Sequence, residues 1–263
     1  MLAKMRQMSR RPLITPRSAP RIAGVVRIAP APDLADVVEQ HWVVAWDHRG
    51  IDPIVQEVLS DPCVNLAVEP AGVLLYGVTS RTSRHELAGA GSVLGTKFHP
   101  GGFSGFVAGP VQGLRDRVLG MAEAFGADGA AFERALADAE TTVDMVEIVT
   151  AFLRARRPPP DPQRALVRAV VEAMRVAPPG TGVADVAREF AVAPRTLQRM
   201  FAAHVGASPK RVLQRFRHQD AADRLAAPEP GGLARLAAEL GYFDQAHFTQ
   251  DFRAATGRVP SSA

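Results

Sequence analysis

The hydrophobic pattern of the chain changes its period near residue 110. Before this point, short apolar runs alternate with glycine, proline and polar residues, as in β-strands joined by turns. After it, apolar residues recur every three to four positions, as in amphipathic helices. We therefore predict an α+β protein in which a β-rich N-terminal domain precedes an all-α domain.

The N-terminal half is predicted to hold several strands and a few helices. Asp33–Glu39 is expected to be a short helix lying across the strands. Thr141 or Thr142 is expected to cap the second of two later helices by accepting a backbone N–H. The strands are predicted at 40–47, 62–69, 72–78, 84–89 and 92–98, and the helices at 130–139 and 143–157. Many short strands broken by glycine and proline are typical of a barrel or a sandwich.

Three consecutive prolines mark the predicted domain boundary. Proline lacks the N–H that a helix interior needs, so residues 158–162 form a stiff linker. This divides the chain into an N-terminal domain, 21–157, and a C-terminal domain, 163–263. Residues 1–20 are predicted to be a flexible basic tail, because the first 30 residues contain seven basic and no acidic side chains.

The C-terminal region contains the same helix-turn-helix pattern twice, at 183–201 and at 233–252. Each copy has a small residue where two helices cross closely and, four residues later, a turn position that favours a left-handed backbone. These positions are Ala187 and Ala191 in the first copy, and Ala237 and Gly241 in the second. A long helix over 208–225, capped by Ser208, is predicted to join the two units.

Positive charge is concentrated in the C-terminal domain. Residues 1–160 hold 17 basic and 17 acidic side chains, so the remaining 14 basic and 10 acidic ones carry the whole net charge of +4. Arg188–Arg217 alone contains seven basic residues and one acidic residue. Concentrated positive charge on a helical unit is typical of a protein that binds a polyanion such as DNA.

Residues 163–260 resemble the AraC/XylS-type transcriptional regulators. The second unit carries most of the match. The matching residues are Gly241, Tyr242, Phe243, Asp244, His247, Phe248, Phe252, Gly257 and Pro260, and Ala187, Leu197, Arg199, Phe201, Gly206, Ser208 and Pro209 in the first unit. Ala191 departs from the pattern, since the family prefers glycine there, and a left-handed alanine costs on the order of 1 kcal/mol. The resemblance implies sequence-specific reading of double-stranded promoter DNA and contact with RNA polymerase.

The N-terminal domain resembles a regulatory domain found in some AraC-type proteins. Phe98, Pro100, Gly101, Gly102 and Pro110 follow that pattern in order. The resemblance implies a cupin-like β-barrel with helices, which senses a small-molecule effector, forms a homodimer, or does both. It implies nothing about the identity of an effector.

The second helix of each unit is expected to enter the major groove, where its outward side chains meet base edges. Arginine can bind guanine through two hydrogen bonds, and glutamine can bind adenine in the same way. The candidate base contacts are Arg195, Thr196, Gln198, Arg199, Gln245, Ala246, His247 and Gln250. The candidate phosphate contacts are Lys210, Arg211, Arg215, Arg217 and Arg253. His247 fits either a DNA contact or the edge of the core.

Trp42, Trp46 and Tyr76 are candidates for lining a ligand pocket, although such residues also fill small barrel cores. The two tryptophans are expected to share a strand face. No catalytic residue, metal site or cofactor is predicted, because the histidines lack a His-x-His pair and the single cysteine, Cys63, fits a buried apolar position.

These patterns predict a cytoplasmic DNA-binding transcription regulator, since no apolar run is long enough for a membrane span. The alternative is a cupin-like metal enzyme domain fused to a DNA-binding domain. A DNA-repair regulator of the methyl-accepting type disagrees with the single cysteine, because its zinc-bound thiolate needs several. A regulator that needs no effector is the third interpretation.

Overall fold

The computed structural model describes residues 22–226 and 232–260, so the predicted tail at 1–20 lies outside the described residues. Strands fill the N-terminal half of these residues and helices fill the C-terminal half. The strands are β1 (Ile22–Ile28), β2 (Val38–His48), β3 (Ile54–Val58), β4 (Asn65–Glu69), β5 (Gly72–Tyr76), β6 (Ser83–Leu87), β7 (Gly89–Phe98) and β8 (Val118–Gly120). The helices are α1 (Met121–Ala137), α2 (Thr142–Ala155), α3 (Pro162–Arg175), α4 (Val183–Glu189), α5 (Pro194–His204), α6 (Pro209–Leu225), α7 (Gly232–Glu239) and α8 (Gln245–Thr256). The predicted α+β class is confirmed.

Six strands form one antiparallel sheet in the order β1-β2-β7-β4-β5-β8, while β3 pairs with β6 in a second sheet. Within the described residues, β1 and β8 each have one neighbouring strand, so hydrogen bonding does not close the large sheet into a ring. The predicted cupin-like barrel is therefore open in this structure, and β3 and β6 form a separate two-stranded sheet. The all-α region with two helix-turn-helix units joined by a long helix is confirmed.

The strand register places a row of buried residues of the large sheet on the face that α1 covers. His41 pairs with Thr96, Thr96 with Leu66, and Leu66 with Leu75, so these four residues lie in one row across the sheet. All four are buried, and Leu66 and Leu75 share a core cluster with Met121 and other α1 residues. The opposite face of the sheet carries the tryptophans.

Two local predictions in the N-terminal domain are corrected. The helix expected at Asp33–Glu39 is only a 3₁₀ turn, Pro32–Leu34, and the chain is already extended in β2 by Val38. The strand β3 was not predicted, because its Gln56 and Glu57 are buried although their polarity suggests a turn. Burial of such polar residues depends on what packs over them, which a hydrophobic pattern does not reveal.

The predicted cap of α2 is confirmed at Thr141. Its hydroxyl oxygen accepts the Asp144 N–H at 3.2 Å, and the Asp144 carboxylate accepts the Thr141 N–H at 2.8 Å, which completes a capping box.

In the part of the chain that the structure describes, no helix combines the length and apolarity needed to cross a bilayer.

The N-terminal domain and the first helix-turn-helix unit share one hydrophobic core. Val167, Val170 and Val171 of α3 are fully buried in the same cluster as residues of the sheet. Gly101 lies so close to this helix that a Cβ there would be 3.3 Å from Val167 Cγ1. A smaller separate cluster, which contains Phe248, holds the second unit together. The proline segment at 158–162 therefore connects two regions that pack tightly against each other.

A buried carboxylate, Asp61, joins three parts of the fold. It accepts hydrogen bonds from Lys97 Nζ of β7 at 2.5 Å, from Arg175 Nη1 of α3 at 3.2 Å and from Gln219 Nε2 of α6 at 3.1 Å. Lys97 also donates to Glu39 at 2.8 Å. Two cations and two carboxylates thus balance each other in charge, which offsets the cost of removing them from water.

The second helix-turn-helix unit contacts the small β3–β6 sheet. The Thr82 N–H and hydroxyl both donate to the Ala255 carbonyl in α8, at 3.3 and 3.2 Å. Arg258, just beyond α8, forms an ion pair with Glu57 of β3 at 2.5 Å. These contacts place the second unit against the N-terminal domain as well as against α6.

Replacing Asp61 with asparagine should destabilise the protein strongly. The change removes the negative charge that Lys97 and Arg175 share, and leaving buried cations undercompensated costs about 3–5 kcal/mol. Thermal melting of the full chain measures the effect. Asp52→Asn, an exposed carboxylate, is the control. Equal melting temperatures for the two variants would contradict the central role of Asp61.

Ala191→Gly should stabilise the protein by up to about 1 kcal/mol, because the φ of Ala191 is +51° and glycine adopts this conformation without the penalty that alanine has. The predicted left-handed alanine is thus present in the structure. Ala203→Gly, within the right-handed helix α5, should instead destabilise by about 0.5–1 kcal/mol. Chemical denaturation of the two variants measures these changes in stability. A loss of stability in both variants would show that the backbone of Ala191 is unstrained.

Candidate DNA-binding surface

The first helix-turn-helix unit consists of α4, a turn at residues 190–193, and α5. The left-handed turn at Ala191 lets the Val192 N–H donate to the Ala187 carbonyl at 2.9 Å, which closes the end of α4. Leu197 and Phe201 of α5 are fully buried, and Met200 is nearly so. The predicted inward face of α5 is confirmed, so the orientation of its opposite face is determined.

The opposite face of α5 is polar and exposed. Arg195, Gln198 and Arg199 are exposed, and Thr196 is half-buried. Among the described residues, no carboxylate forms an ion pair with Arg195 or Arg199. These side chains are therefore available for a ligand, which is the geometry that reading of base edges requires. Their individual contacts stay predictions.

The second unit repeats this arrangement with α7 and α8. Gly241 forms the left-handed turn with a φ of +76°, and a Cβ at this position would be 2.7 Å from the backbone nitrogen of Gly180. Asp244 caps α8 by accepting the His247 N–H at 2.7 Å. Phe248 and Phe252 anchor α8 in the core. The predicted cap and anchors are confirmed.

The outward residues predicted for α8 lie together on one surface. His247 is exposed, and its ring meets the Tyr242 ring edge-on with the centroids 5.3 Å apart. An open groove runs along this face of the helix. Its lining includes Gln245, Ala246, Thr249, Gln250 and Arg253. The lining thus includes three of the four candidate base contacts of α8, all but His247, and the candidate phosphate contact Arg253.

Two family models match the chain. Residues 186–263 match a helix-turn-helix domain, which begins within α4 and covers the rest of both units. Residues 26–120 match a domain of unknown function, DUF6597. The C-terminal domain is an AraC-type helix-turn-helix domain. The chain is thus a DNA-binding transcription regulator, which confirms the resemblance seen in the sequence. None of the curated proteins matches the chain.

Several solved structures are similar in part. The C-terminal domain of AraT, a response regulator from Geobacillus stearothermophilus, is 26% identical over 38% of this chain and 81% of its own, with a TM-score of 0.34. ToxT from Vibrio cholerae is 11% identical over 90% of this chain and 95% of its own, with a TM-score of 0.41. The transcriptional regulator CdpR from Pseudomonas aeruginosa is 21% identical over 66% of this chain and 45% of its own, with a TM-score of 0.28.

The predicted phosphate contacts of the AraC-type domain differ in exposure. Lys210 and Arg211 in the first turn of α6, and Arg253 in α8, are exposed. Arg217 is half-buried and donates to the Thr181 carbonyl at 2.9 Å. Arg215 is only 7% exposed. This burial disagrees with the predicted phosphate contact, because the guanidinium lies between α6 and the N-terminal domain rather than on the surface.

A hydrogen-bonded network holds α8 to α6 within the AraC-type domain. The Asp251 carboxylate accepts the Tyr242 hydroxyl at 2.8 Å and lies 2.9 Å from His218 Nε2. The hydrogen bond with His218 holds the pKa of Asp251 below its ordinary value. Burial, together with the bond to Asp251, raises the pKa of Tyr242. The network orients α8 from its inner side, while the residues of its outer side are exposed.

The predicted pocket residues do not come together. Trp42 and Trp46 lie flat against the β7 glycines Gly95 and Gly91, so closely that a Cβ on either glycine would clash with the indole. Tyr76 is on the same sheet face by register, but it is on β5, beyond β7 and β4. Its hydroxyl donates to Glu69 at 2.8 Å. The shared face of the two tryptophans is confirmed. The role of the three residues in lining a ligand pocket stays a prediction, which their spacing across four strands does not favour.

The histidines of the sheet have structural partners. His41 Nδ1 is 2.9 Å from Thr96 Oγ1, and burial lowers the pKa of His41. His48 Nδ1 is 3.1 Å from the Leu87 carbonyl. Across the described ranges, no group of three or more potential ligands from histidine, cysteine, aspartate and glutamate is placed to hold a metal ion.

Phe243 was not among the candidate site residues, although the sequence contains it in the matching motif. Its side chain is 95% exposed, directly before the Asp244 cap of α8. An apolar ring that is almost entirely in water is unusual, and here it lies at the end of the helix that is expected to enter the groove. Its position beside a helix start was visible in the sequence, but its exposure was not.

Phe243→Ala should weaken specific DNA binding about ten-fold without lowering the melting temperature. The ring contacts little in the free protein, whereas burying an apolar side chain against a thymine methyl group contributes about 1.5–3 kcal/mol. Val176→Ala, another exposed apolar residue, is the control.

Titration of each variant with a DNA site selected from a random duplex library gives the affinities. Replacing thymine by uracil in that site should lower the affinity of the unmodified protein and leave the affinity of the Phe243→Ala variant unchanged. Equal affinities for the Phe243 and Val176 variants would exclude Phe243 from the interface.

Proposed function

We propose that this regulator reads two adjacent major-groove segments, one with α5 and one with α8. The observation that carries the proposal is the outward, unpaired polar face of α5, with Arg195, Gln198 and Arg199 exposed above a buried core. The exposed Gln245 and Gln250 of α8 support an equivalent role for the second unit.

The two helices are expected to contribute differently. The exposed basic residues of α5 and of the start of α6 favour strong phosphate and guanine contacts, whereas α8 has one basic residue, Arg253, near its end. We therefore infer that the first unit supplies most of the affinity and that the second unit adds discrimination.

The N-terminal domain is proposed to regulate the DNA-binding domain, by binding a small-molecule effector, by forming a homodimer, or by both. The shared core with α3 and the contacts between the β3–β6 sheet and α8 support this, because a change in the N-terminal domain would alter the placement of both units. The bound protein is proposed to recruit or block RNA polymerase in the cytoplasm.

Selection of binding sites from a random duplex library with the full-length protein tests the proposal. Two contacted segments about one helical turn apart, recovered as one asymmetric site, would support reading by both units. A single short segment would show that one unit reads alone, and recovery of unrelated sequences would contradict sequence-specific reading by the unliganded protein.

Arg195→Ala and Lys210→Ala should lower DNA affinity in different ways. Removal of a base-reading arginine should cost about 1–3 kcal/mol on the selected site and little on random DNA. Removal of a phosphate contact should weaken both DNAs alike and reduce the salt dependence by about one counterion. Affinities at several salt concentrations provide the comparison. Equal losses on both DNAs for Arg195→Ala would remove it from the base readers.

A further inference from the structure

A cleft of about 230 Å³ lies at one edge of the contact between the N-terminal domain and the AraC-type domain. One wall consists of loop residues 78–80 and Arg115, which precedes β8. The other wall consists of α6 and α8 residues. The polar residues of the lining include Ser80, Arg115, Arg211, Arg215, His218 and Asp251. The cleft thus touches the N-terminal domain, the joining helix and the second recognition helix at once.

The cleft has an excess of positive charge. Three arginines line it, and Asp251 is the carboxylate among its lining residues. Asp251 is already engaged by Tyr242 and His218. Asp116, next to the cleft, accepts the Ser80 N–H at 2.6 Å and is 3.8 Å from Arg115 Nε. An anion entering the cleft would therefore meet more cation than carboxylate.

Arg215 is the buried part of this cluster. Its Nη2 donates to the Thr79 carbonyl at 2.9 Å, whereas its Nη1 is buried and has no hydrogen-bond partner among the described residues. Burial lowers the pKa of this guanidinium to about 10, and Asp116 compensates only in part. A buried guanidinium nitrogen without a partner is costly, and an oxyanion is the partner that its planar geometry fits best.

The backbone beside the cleft is strained. Asp116 has a φ of +58°, which is uncommon for a residue other than glycine. Its N–H donates to the Val78 carbonyl at 3.0 Å, so this conformation connects the Arg115 loop to the 78–80 loop. Strained residues that hold two loops together are frequent at binding sites.

We propose that this cleft binds a small ligand through an oxyanion, a phosphate or carboxylate group, held by Arg115 and Arg211 at the entrance and by Arg215 at its inner end. Such a ligand would bridge the 78–80 loop and α6, and it would hold α8 in one position relative to the N-terminal domain. The role of the cleft as the effector site rests on the proposed function, whereas the capacity of the cleft to bind an anion does not.

Thermal melting of the full-length protein in inorganic phosphate, in acetate and in chloride, all at equal ionic strength, tests the site. A ligand that binds the folded state raises the melting temperature with concentration. We expect phosphate, acetate or both to raise it above the value in chloride. The probe with the larger effect identifies whether a phosphate or a carboxylate group is preferred.

Arg115→Gln is the decisive variant, because Arg115 is at the entrance and is not a predicted DNA contact. The apparent affinity of this variant for phosphate or acetate should fall about five-fold or more, as expected for loss of one charged hydrogen-bond donor. Arg134→Gln, an exposed arginine of α1 away from the cleft, should match the unmodified protein. Arg215 is not chosen, because its bond to Thr79 also holds the two domains together.

Two results would overturn the proposal: no stabilisation by either probe beyond chloride, or equal stabilisation of the Arg115→Gln variant and the unmodified protein. Selection of DNA sites with the same proteins distinguishes a failure of the cleft proposal from a failure of the proposed function. Specific DNA binding without any anion response would contradict the cleft site alone. An anion response that depends on Arg115, without specific DNA binding, would support the cleft site and contradict the proposed function.

Discussion

The arrangement of the whole molecule depends on the buried carboxylate of Asp61. It is the shared acceptor for a lysine of the sheet, an arginine of α3 and a glutamine of α6, so three elements from both domains meet at one side chain. Removing these charges from water costs free energy that is recovered only when all the partners are in place. Such a group tolerates few alternative packings, and it therefore favours one relative position of the two domains.

This constraint affects how the two recognition helices are held. The first unit shares its hydrophobic core with the N-terminal domain through α3, whereas the second unit has a small core of its own. That small core includes Ala221 and Ala222 of α6, so the second unit packs on the joining helix. Its contacts with the N-terminal domain are polar, through Thr82 and Glu57, and the Tyr242–Asp251–His218 network adds polar contacts to α6. A ligand or a partner that changes these polar contacts would therefore act on the placement of α8 relative to the N-terminal domain.

The interdomain cleft lies beside these polar contacts, because residues 78–80, Asp251 and Ala255 are in its lining. Asp251 belongs both to the cleft lining and to the network that orients α8, and Arg215 of the joining helix is bonded to the N-terminal domain beside it. A ligand in the cleft would therefore act on the contacts that position the second recognition helix. This connects the proposed regulation to particular hydrogen bonds rather than to the domain as a whole.

Much of the AraC-type domain was predictable from the sequence, because its signals are local. The caps at Ser208 and Asp244 and the left-handed turns at Ala191 and Gly241 depend on neighbours a few residues away. The buried faces of the helices follow from apolar spacing, so the outward positions of α5 and α8 were predicted correctly. The strand β3 was missed, since its polar residues are buried by a distant part of the chain.

Arg211 and Arg215 show what could not be predicted from the sequence alone. They are the same residue type, four positions apart on one helix, and by pattern both were expected to contact phosphate. In the structure Arg211 is exposed, while Arg215 is buried against Thr79, more than 130 residues earlier in the chain. In the AraC-type domain the sequence by itself determined the helices, their caps and their inward faces, because these depend on short-range spacing. Only the tertiary structure decided which charges remain on the surface, because that depends on long-range packing between the domains.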